Sequence, residues 1–178
     1  MLKFICPDDC VPAVFDIDLD RLRSEGIRAL FVDLDNTLLA WDQEHPSERL
    51  RRWIARVREK GLRICIVSNG MPARVKRVAE KLGVTAITQA IKPRKRPFEQ
   101  ALRLFGLQAS EAAVVGDQLF TDILGGNRMN MHTILVKPVG RHEMKHPQWI
   151  RRIERRLIRR MFRKGLITEQ MYRIGVQR

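Results

Sequence analysis

The sequence lacks any long apolar run, because charged residues interrupt every stretch well before the ~18 consecutive apolar residues that a membrane-spanning helix requires. It also lacks the uninterrupted apolar beginning of a secretory signal peptide, since Asp8 and Asp9 follow soon after Met1. Internal repeats and low-complexity linkers are absent as well. We therefore expect a cytoplasmic protein whose only contact with a membrane would be peripheral, at its inner face.

Cysteine is scarce, with three residues in the whole chain. An odd, small number fits a reducing compartment better than a disulfide framework. Cys65 lies in an apolar run and is expected in the core. Cys6 and Cys10 form an isolated C-x-x-x-C pair without the second ligand pair of a structural zinc site, so a metal role for them is not favoured.

Acidic residues are also few relative to basic ones, 20 against 34, which gives a net charge of +14. The excess is concentrated in two blocks, residues 74–103 and residues 149–164. Such localised positive charge suits a phosphate-rich partner. Aromatic residues make up only 6% of the chain, and in the basic C-terminal part only Phe162 and Tyr172 are interleaved with cations. This disfavours nucleic-acid binding by base stacking without excluding it.

What the sequence does contain is an alternation of apolar strands with amphipathic helices. Ser47 can cap the first of these helices, and the other two end at Gly83 and Gly106. The strands are apolar on both faces, which is typical of a parallel sheet covered by helices on both sides. The pattern predicts a doubly wound, Rossmann-like α/β fold with five parallel strands: Ile27–Asp35, Leu62–Val67, Val84–Ile87, Ala112–Gly116 and Met131–Val136.

Three segments follow from this pattern. Residues 1–26 form an N-terminal lead-in, residues 27–138 the α/β core, and residues 139–178 a basic helical extension that we expect to pack on the core. At 178 residues, the chain is too short for two domains of ordinary size.

The most informative motif is Asp33-Leu34-Asp35, at the carboxyl end of the first predicted strand. Two aspartates separated by one residue can direct both carboxylates into one crevice at the carboxyl edge of the sheet. Like charges held together need a cation or a proton between them, so the pair indicates a hard metal ion and phosphate chemistry. A similar run from Asp16 to Asp20 has no long apolar strand before it, and there we expect helix-capping and solvated acids.

Three further polar features follow later strands. Ser68 and Asn69 offer a hydroxyl and an amide for a phosphoryl oxygen, Lys92 offers a cation, and Asp117 with Asp122 adds two more acids. Any one of these could arise by chance. Their occurrence in this order, each at a strand end, is a strong indication of one phosphate-handling site.

This set of motifs resembles the haloacid dehalogenase superfamily of phosphatases, over roughly Ile27 to Val136. The resemblance implies an aspartyl-phosphate mechanism, with Asp33 as nucleophile and Asp35 as general acid and base. Catalytic Lys92 and the phosphate-binding Ser68 and Asn69 would hold the phosphoryl group. Mg²⁺ would be bound by Asp33, the Asp35 backbone carbonyl and Asp117, with Asp122 supporting these ligands from outside the coordination sphere.

Within the superfamily, the chain is similar to the YqeG-type phosphatases, through strings such as Gly116-Asp117-Gln118-Leu119 and Thr121-Asp122-Ile123-Leu124-Gly125-Gly126-Asn127-Arg128. Related mitochondrial enzymes hydrolyse phosphatidylglycerophosphate, which the resemblance suggests as a substrate. The segment from Lys92 to Pro97 departs from the expected strings, so Lys95 is the alternative to Lys92 as the active-site cation.

The spacing of the motifs leaves no room for a separate cap domain, either between Asp33 and Ser68 or between Lys92 and Asp117. The site should therefore be open to large or membrane-held phosphate esters. The basic helix Trp149–Lys164 leaves three alternatives: contact with an anionic membrane, a solvated cover of the core, or contact with RNA phosphates. The leading interpretation is a magnesium-dependent phosphatase, and the alternative is a nucleic-acid-associated protein of the same fold.

Overall fold

The computed structural model describes residues 2–139 and 148–176, and only the backbone of 148, 151, 175 and 176. Residues 140–147, 177 and 178 of the predicted C-terminal extension lie outside this description. Seven α-helices occur in the described part of the chain: α1 Leu19–Ser24, α2 Glu48–Glu59, α3 Pro72–Leu82, α4 Arg96–Phe105, α5 Leu124–Arg128, α6 Gln148–Arg163 and α7 Glu169–Val176. A π-helix, Leu119–Ile123, directly precedes α5.

The sheet has six strands: β1 Asp9–Val11, β2 Ala29–Val32, β3 Arg63–Val67, β4 Thr85–Ile87, β5 Ala112–Gly116 and β6 His132–Val136. Their order in the sheet is β1-β6-β5-β2-β3-β4, and every neighbouring pair is parallel. The prediction of a doubly wound parallel α/β fold is confirmed, but the predicted number of five strands is wrong.

The additional strand, β1, comes from the predicted lead-in segment. Its three residues pair with Ile134–Val136 at the edge of the sheet. Asp8 secures the pairing, because its carboxylate accepts hydrogen bonds from both the amide and the hydroxyl of Thr133. Asp9 forms ion pairs with Arg21 and with His132, whose Nε2 lies 2.7 Å from the carboxylate. Polar contacts thus fix a strand that has no apolar run of its own.

Alternate residues of the central strands pack on opposite faces of the sheet, as the pleat requires. Leu30 and Val32 of β2 face one core cluster, which α1, α2 and α3 cover. Ala29 and Phe31 face a second cluster, which α4 covers. The sheet is thus buried on both sides, which explains why its strands read as continuous apolar runs.

The helix boundaries follow local sequence signals. The Ser47 hydroxyl accepts a hydrogen bond from the Leu50 amide and caps α2. Gly83 and Gly106 end α3 and α4 in the left-handed conformation, which glycine adopts without steric cost. Asp18 caps α1 and Asp20 pairs with Lys60, so these acids have the capping and surface roles expected of them.

The C-terminal helices pack over a third cluster, on the same sheet face as α4. Ile158 and Met161 of α6 are buried there with residues from the N-terminal segment and the π-helix. Glu154 of α6 is buried too, and its carboxylate accepts a hydrogen bond from the Leu119 amide at 3.0 Å. Across the described residues, no helix combines the length and apolar character needed to cross a bilayer.

Candidate active site

The candidate site lies at the carboxyl edge of the sheet, where β2, β3, β4 and β5 end. Asp33 follows β2 directly, and its amide donates to the carbonyl of Val115 in β5. After Asp35 the chain turns at Asn36, whose φ of +63° is left-handed, a conformation that asparagine tolerates better than most residues. The turn keeps Asp33 and Asp35 at the mouth of the sheet rather than in a continuing strand.

Lys92 is the centre of the site. Its side chain is 3% exposed, and its Nζ lies 2.6 Å from Asp33 Oδ1 and 2.6 Å from Asp122 Oδ1. Burial works against the charged form of the amine, but the two carboxylates outweigh it and raise the pKa of Lys92. A protonated ammonium therefore bridges the loop after β2 and the π-helix. The alternative cation, Lys95, is exposed.

The loop after β3 holds Lys92 in place through its backbone. The Asn69 side chain accepts a hydrogen bond from the Lys92 amide at 2.9 Å and donates to the Lys92 carbonyl at 3.5 Å. Buried Ser68 donates its amide to Ile87 and accepts the Ala90 amide at its carbonyl, while its hydroxyl accepts from the Gly70 amide. Ser68 and Asn69 thus lie beside Lys92, and Asn69 is occupied in positioning it.

Asp117 and Asp122 lie close to Asp33. Carboxylate oxygens from the three residues all fall within 4.8 Å of one another, and all three residues are buried. Asp122 is packed against β5 so closely that a Cβ atom on Gly116 would lie 2.2 Å from its carboxyl carbon. The absence of a side chain at Gly116 is therefore what allows the π-helix to bring Asp122 under Lys92.

The donor set of this cluster fits a hard divalent cation. All three side chains offer carboxylate oxygens, which Mg²⁺ and Ca²⁺ prefer. Burial raises the pKa of Asp33; the Lys92 ammonium opposes this rise, and the Asp122 and Asp117 carboxylates add to it. Asn36 adds a buried side-chain oxygen that has no hydrogen-bond partner within the described chain. The Lys92 ammonium contacts two of these carboxylates, Asp33 and Asp122, and a divalent cation bound at the cluster would stabilise the acidic groups further.

Asp35 is separate from this acidic cluster. It forms an ion pair with Arg74 of α3, which also donates to the backbone carbonyls of Ala40 at 3.1 Å and Gln43 at 2.7 Å. A Cβ atom on Gly70 would lie 2.6 Å from Asp35 Oδ2, so the loop after β3 passes directly beside this carboxylate. Arg74 therefore fixes both Asp35 and the segment that follows it.

Arg74 is not among the site residues predicted from the sequence. Its position in α3 is one of several basic positions in a charged block, and its partner lies 39 residues earlier in the chain. The seven predicted site residues all lie at this sheet edge: Asp33, Asp35, Ser68, Asn69, Lys92, Asp117 and Asp122.

Within residues 2–139 and 148–176, no separate cap unit covers the site. Residues 33–117 are described in full, and between β2 and α2 they form only a loop with a single bridge between Asp35 and Leu39. Between β4 and β5 they form α4 and one short 3₁₀ turn. No cap domain is thus inserted between these motifs, as their spacing predicts.

A strand-end site with paired acids, a buried lysine and an oxygen-rich cluster defines a phosphate-ester hydrolase of α/β type. The family model of haloacid dehalogenase-like hydrolases matches residues 11–130, and the chain belongs to this family. It is 40% identical over 165 residues to the probable phosphatase YqeG of Bacillus subtilis, covering 93% of this chain and 96% of that protein. These relationships make it a phosphatase of the family.

More distant relatives carry more specific names. The chain is 30% identical to phosphatidylglycerophosphate phosphatase 1 of Arabidopsis thaliana over 92% of its own length, and it spans 50% of that protein. It is also 30% identical to glyceraldehyde 3-phosphate phosphatase of Pyrococcus abyssi, covering 71% of this chain and 58% of that one. An uncharacterised Listeria monocytogenes protein shares the fold, with a TM-score of 0.52 at 19% identity, covering 68% and 88% of the two chains.

Proposed function

We propose that this phosphatase hydrolyses phosphate monoesters through an aspartyl-phosphate on Asp33. The observation that carries the proposal is the buried ammonium of Lys92, 2.6 Å from the Asp33 carboxylate at the open edge of the sheet. A carboxylate can approach an anionic phosphoryl group only when nearby cations offset the repulsion. Lys92 supplies one such charge and fixes the position of the attacking oxygen.

In the first step, an Asp33 oxygen forms a bond to phosphorus while the bond to the ester oxygen breaks. Asp35 donates the proton that the leaving alkoxide takes up. In the second step, Asp35 accepts a proton from water, whose oxygen displaces the Asp33 carboxylate and releases phosphate. Arg74 keeps Asp35 oriented in both steps, and Ser68 stands beside Lys92 to contact phosphoryl oxygens.

The acidic cluster would hold Mg²⁺ through Asp33 and Asp117, with the Asp35 backbone carbonyl as a further ligand. A bound magnesium ion would offset the charge of the phosphoryl oxygens. Asp122 is engaged by Lys92 and by the Gln118 amide, which suits a residue that supports the ligands rather than joining them.

The substrate that we propose is phosphatidylglycerophosphate. The Arabidopsis relative with this activity in its name supports the proposal, and so does the lack of an inserted cap domain between the motifs, which suits a headgroup attached to a membrane. The test is phosphate release with Mg²⁺ from this lipid in anionic vesicles and from soluble monoesters. Asp33→Asn should abolish turnover of every substrate without lowering the thermal stability by more than a few degrees. Hydrolysis at the wild-type rate by this variant, or after exhaustive chelation, would contradict the mechanism.

Peripheral contact of α6 with an anionic membrane is a second part of this proposal. Trp149 and Ile153 are exposed by 60% and 40%, respectively, although they are apolar, and Phe162 is exposed by 38%. Five arginines on the same helix are also exposed: Arg152, Arg156, Arg159, Arg160 and Arg163. Exposed apolar side chains flanked by arginines suit the interface of an anionic bilayer.

The nucleic-acid alternative has less support. Base stacking needs free aromatic faces, and the rings of Phe162 and Tyr172 stack on each other with centroids 4.6 Å apart. Exposed Trp149 is the other aromatic side chain of α6. The basic surface remains available to phosphates, and the vesicle experiment in the Discussion separates the two partners.

A further inference from the structure

A cavity of about 230 Å³ lies beside the active site, between the loop after β4 and the beginning of α4. Its polar lining consists of Thr88, Gln89, Arg94, Arg96 and Gln100. No acidic side chain lines it. A concave surface lined by two arginines and two glutamines is suited to an anion with several oxygen atoms.

The two arginines of this cavity are not neutralised by the protein. Within the described residues, neither Arg94 nor Arg96 has an ion pair or a side-chain hydrogen bond to another group. Other cations of the same basic block are engaged: Arg74 with Asp35, Arg77 with Glu44, and Lys92 with Asp33 and Asp122. The charge of Arg94 and Arg96 therefore remains available to a ligand.

The wall of the cavity is physically continuous with the active site. Ala90 lines the cavity, and its amide donates to the carbonyl of Ser68 at 3.1 Å. Ile91 also lines it and directly precedes Lys92. The amide of Arg94 donates to the Ile91 carbonyl at 3.1 Å, so a tight turn carries the chain from the active-site lysine back to the cavity. Arg94 lies two residues from Lys92, a separation of at most ~7 Å along the chain.

We infer that Arg94 and Arg96 form a second anion-binding subsite, which recognises a second anionic phosphate group on the substrate while the first is hydrolysed at Asp33. The inference rests on the proposed function and makes its substrate class more specific. Phosphatidylglycerophosphate contains a phosphomonoester and a phosphodiester joined through a short glycerol bridge. A monoester such as glycerol 3-phosphate has no second anion and would leave the subsite empty.

The test compares three substrates in the full-length protein with Mg²⁺: glycerol 3-phosphate, the water-soluble deacylated headgroup of phosphatidylglycerophosphate, and the lipid itself in anionic vesicles. The variant is Arg94→Gln with Arg96→Gln. Lys95→Gln is the matched control, because Lys95 is an exposed cation of the same loop that does not line the cavity. Inhibition of glycerol 3-phosphate hydrolysis by deacylated phosphatidylglycerol, which carries only the phosphodiester, gives a second readout.

We expect the double variant to raise KM for the soluble headgroup on the order of 10-fold to 100-fold, the usual consequence of losing charge-assisted hydrogen bonds. Its kinetics with glycerol 3-phosphate and its thermal stability should match the wild type, and inhibition by the phosphodiester should weaken in parallel. Lys95→Gln should change none of these by more than about twofold, as is typical of an exposed charge.

Three results with the variants would overturn the subsite. One is an equal effect on glycerol 3-phosphate and the headgroup, and another is an equal effect of Lys95→Gln. The third is a defect confined to vesicles, which would assign the arginines to the membrane surface. Failure of the wild type to hydrolyse any of the three substrates would instead refute the proposed function. Equal wild-type efficiency on all three, with no phosphodiester inhibition, would refute the subsite alone.

Discussion

Replacing Gly116 by alanine is the most direct test of how the active site is packed. The added Cβ would lie 2.2 Å from the carboxyl carbon of Asp122 and 2.5 Å from its Cβ, far inside the ~3.5 Å of normal carbon contacts. Neither the Gly116 backbone nor the Asp122 side chain can move away easily. Gly116 belongs to a strand that is paired with neighbours on both sides, and Asp122 is held by Lys92 and by the Gln118 amide.

The cost can be estimated from these contacts. Overpacking in a buried site typically costs ~1–3 kcal/mol. If Asp122 moves instead, its charge-assisted hydrogen bond to Lys92 is weakened, and a hydrogen bond of this kind contributes ~1.5–3 kcal/mol to stability. We expect Gly116→Ala to reduce the free energy of unfolding by about 3 kcal/mol. For a chain of this size, that loss lowers the melting temperature by roughly 6–12 °C.

A double-mutant cycle identifies the clash as the cause. Asp122→Gly removes both the carboxyl group and the Cβ atom that the new methyl group would meet. In that background, Gly116→Ala should cost under about 1 kcal/mol, so the two substitutions should couple by roughly 2 kcal/mol. Urea unfolding of the four proteins measures this coupling. Additive effects, or a cost under about 1 kcal/mol in the wild-type background, would refute the packing argument.

Three further predictions concern individual groups. Asp35→Asn should slow hydrolysis by ~10²–10⁴-fold and least for good leaving groups, because it removes proton transfer; steady-state rates on aryl and alkyl phosphates check this, and equal losses on both would contradict it. The hydrogen bond to Asp9 raises the pKa of His132, so Asp9→Asn should lower that pKa in an NMR titration. A histidine whose pKa is raised by folding stabilises the folded protein at pH values below its pKa in the unfolded chain, and this stabilisation is lost as the pH rises through its pKa in the folded protein. Asp9→Asn should therefore reduce the free energy of unfolding more at pH 6 than at pH 9. Equal reductions at the two pH values would argue against the Asp9–His132 pair. Replacing four arginines of α6 by glutamine should weaken sedimentation with anionic vesicles, in a manner sensitive to salt, and leave hydrolysis of soluble esters unchanged. The four residues are Arg152, Arg155, Arg156 and Arg159. Unchanged sedimentation would rule out the membrane contact, and RNA binding without vesicle binding would favour the alternative partner.

Much of the fold could be predicted because its strands are buried on both faces. The run from Leu30 to Val32 is apolar throughout, and the acids that follow it mark the sheet edge where ligands bind. Asp33 and Lys92 could be assigned to one site because strand ends in a parallel sheet converge. Their distances could not be predicted, since the sequence does not specify how far each loop extends beyond its strand.

Two structural features, β1 and the Arg74–Asp35 ion pair, could not be predicted from the sequence, and the reason is the same for both. The strand Asp9–Val11 has one acid, one cysteine and one valine, so its pairing with β6 depends on tertiary contacts such as the Asp8–Thr133 hydrogen bonds. Arg74 looks like any solvated cation of an amphipathic helix until α3 is placed beside Asp35. Apolar periodicity shows which face of an element is buried but not which polar side chain meets a partner across the fold.

The third core cluster determines when folding can be completed. It combines Ile5 and Cys10 with Met161 and Ile174, and Cys6 donates its thiol hydrogen to the carbonyl of Leu166, 160 positions later. During synthesis from the N-terminus, the early apolar side chains leave the ribosome long before the helices that cover them exist. A nascent chain that ends at β6 therefore leaves the apolar side chains of Ile5 and Cys10 without the α6 and α7 residues that bury them, and exposed apolar surface of this kind is prone to aggregation.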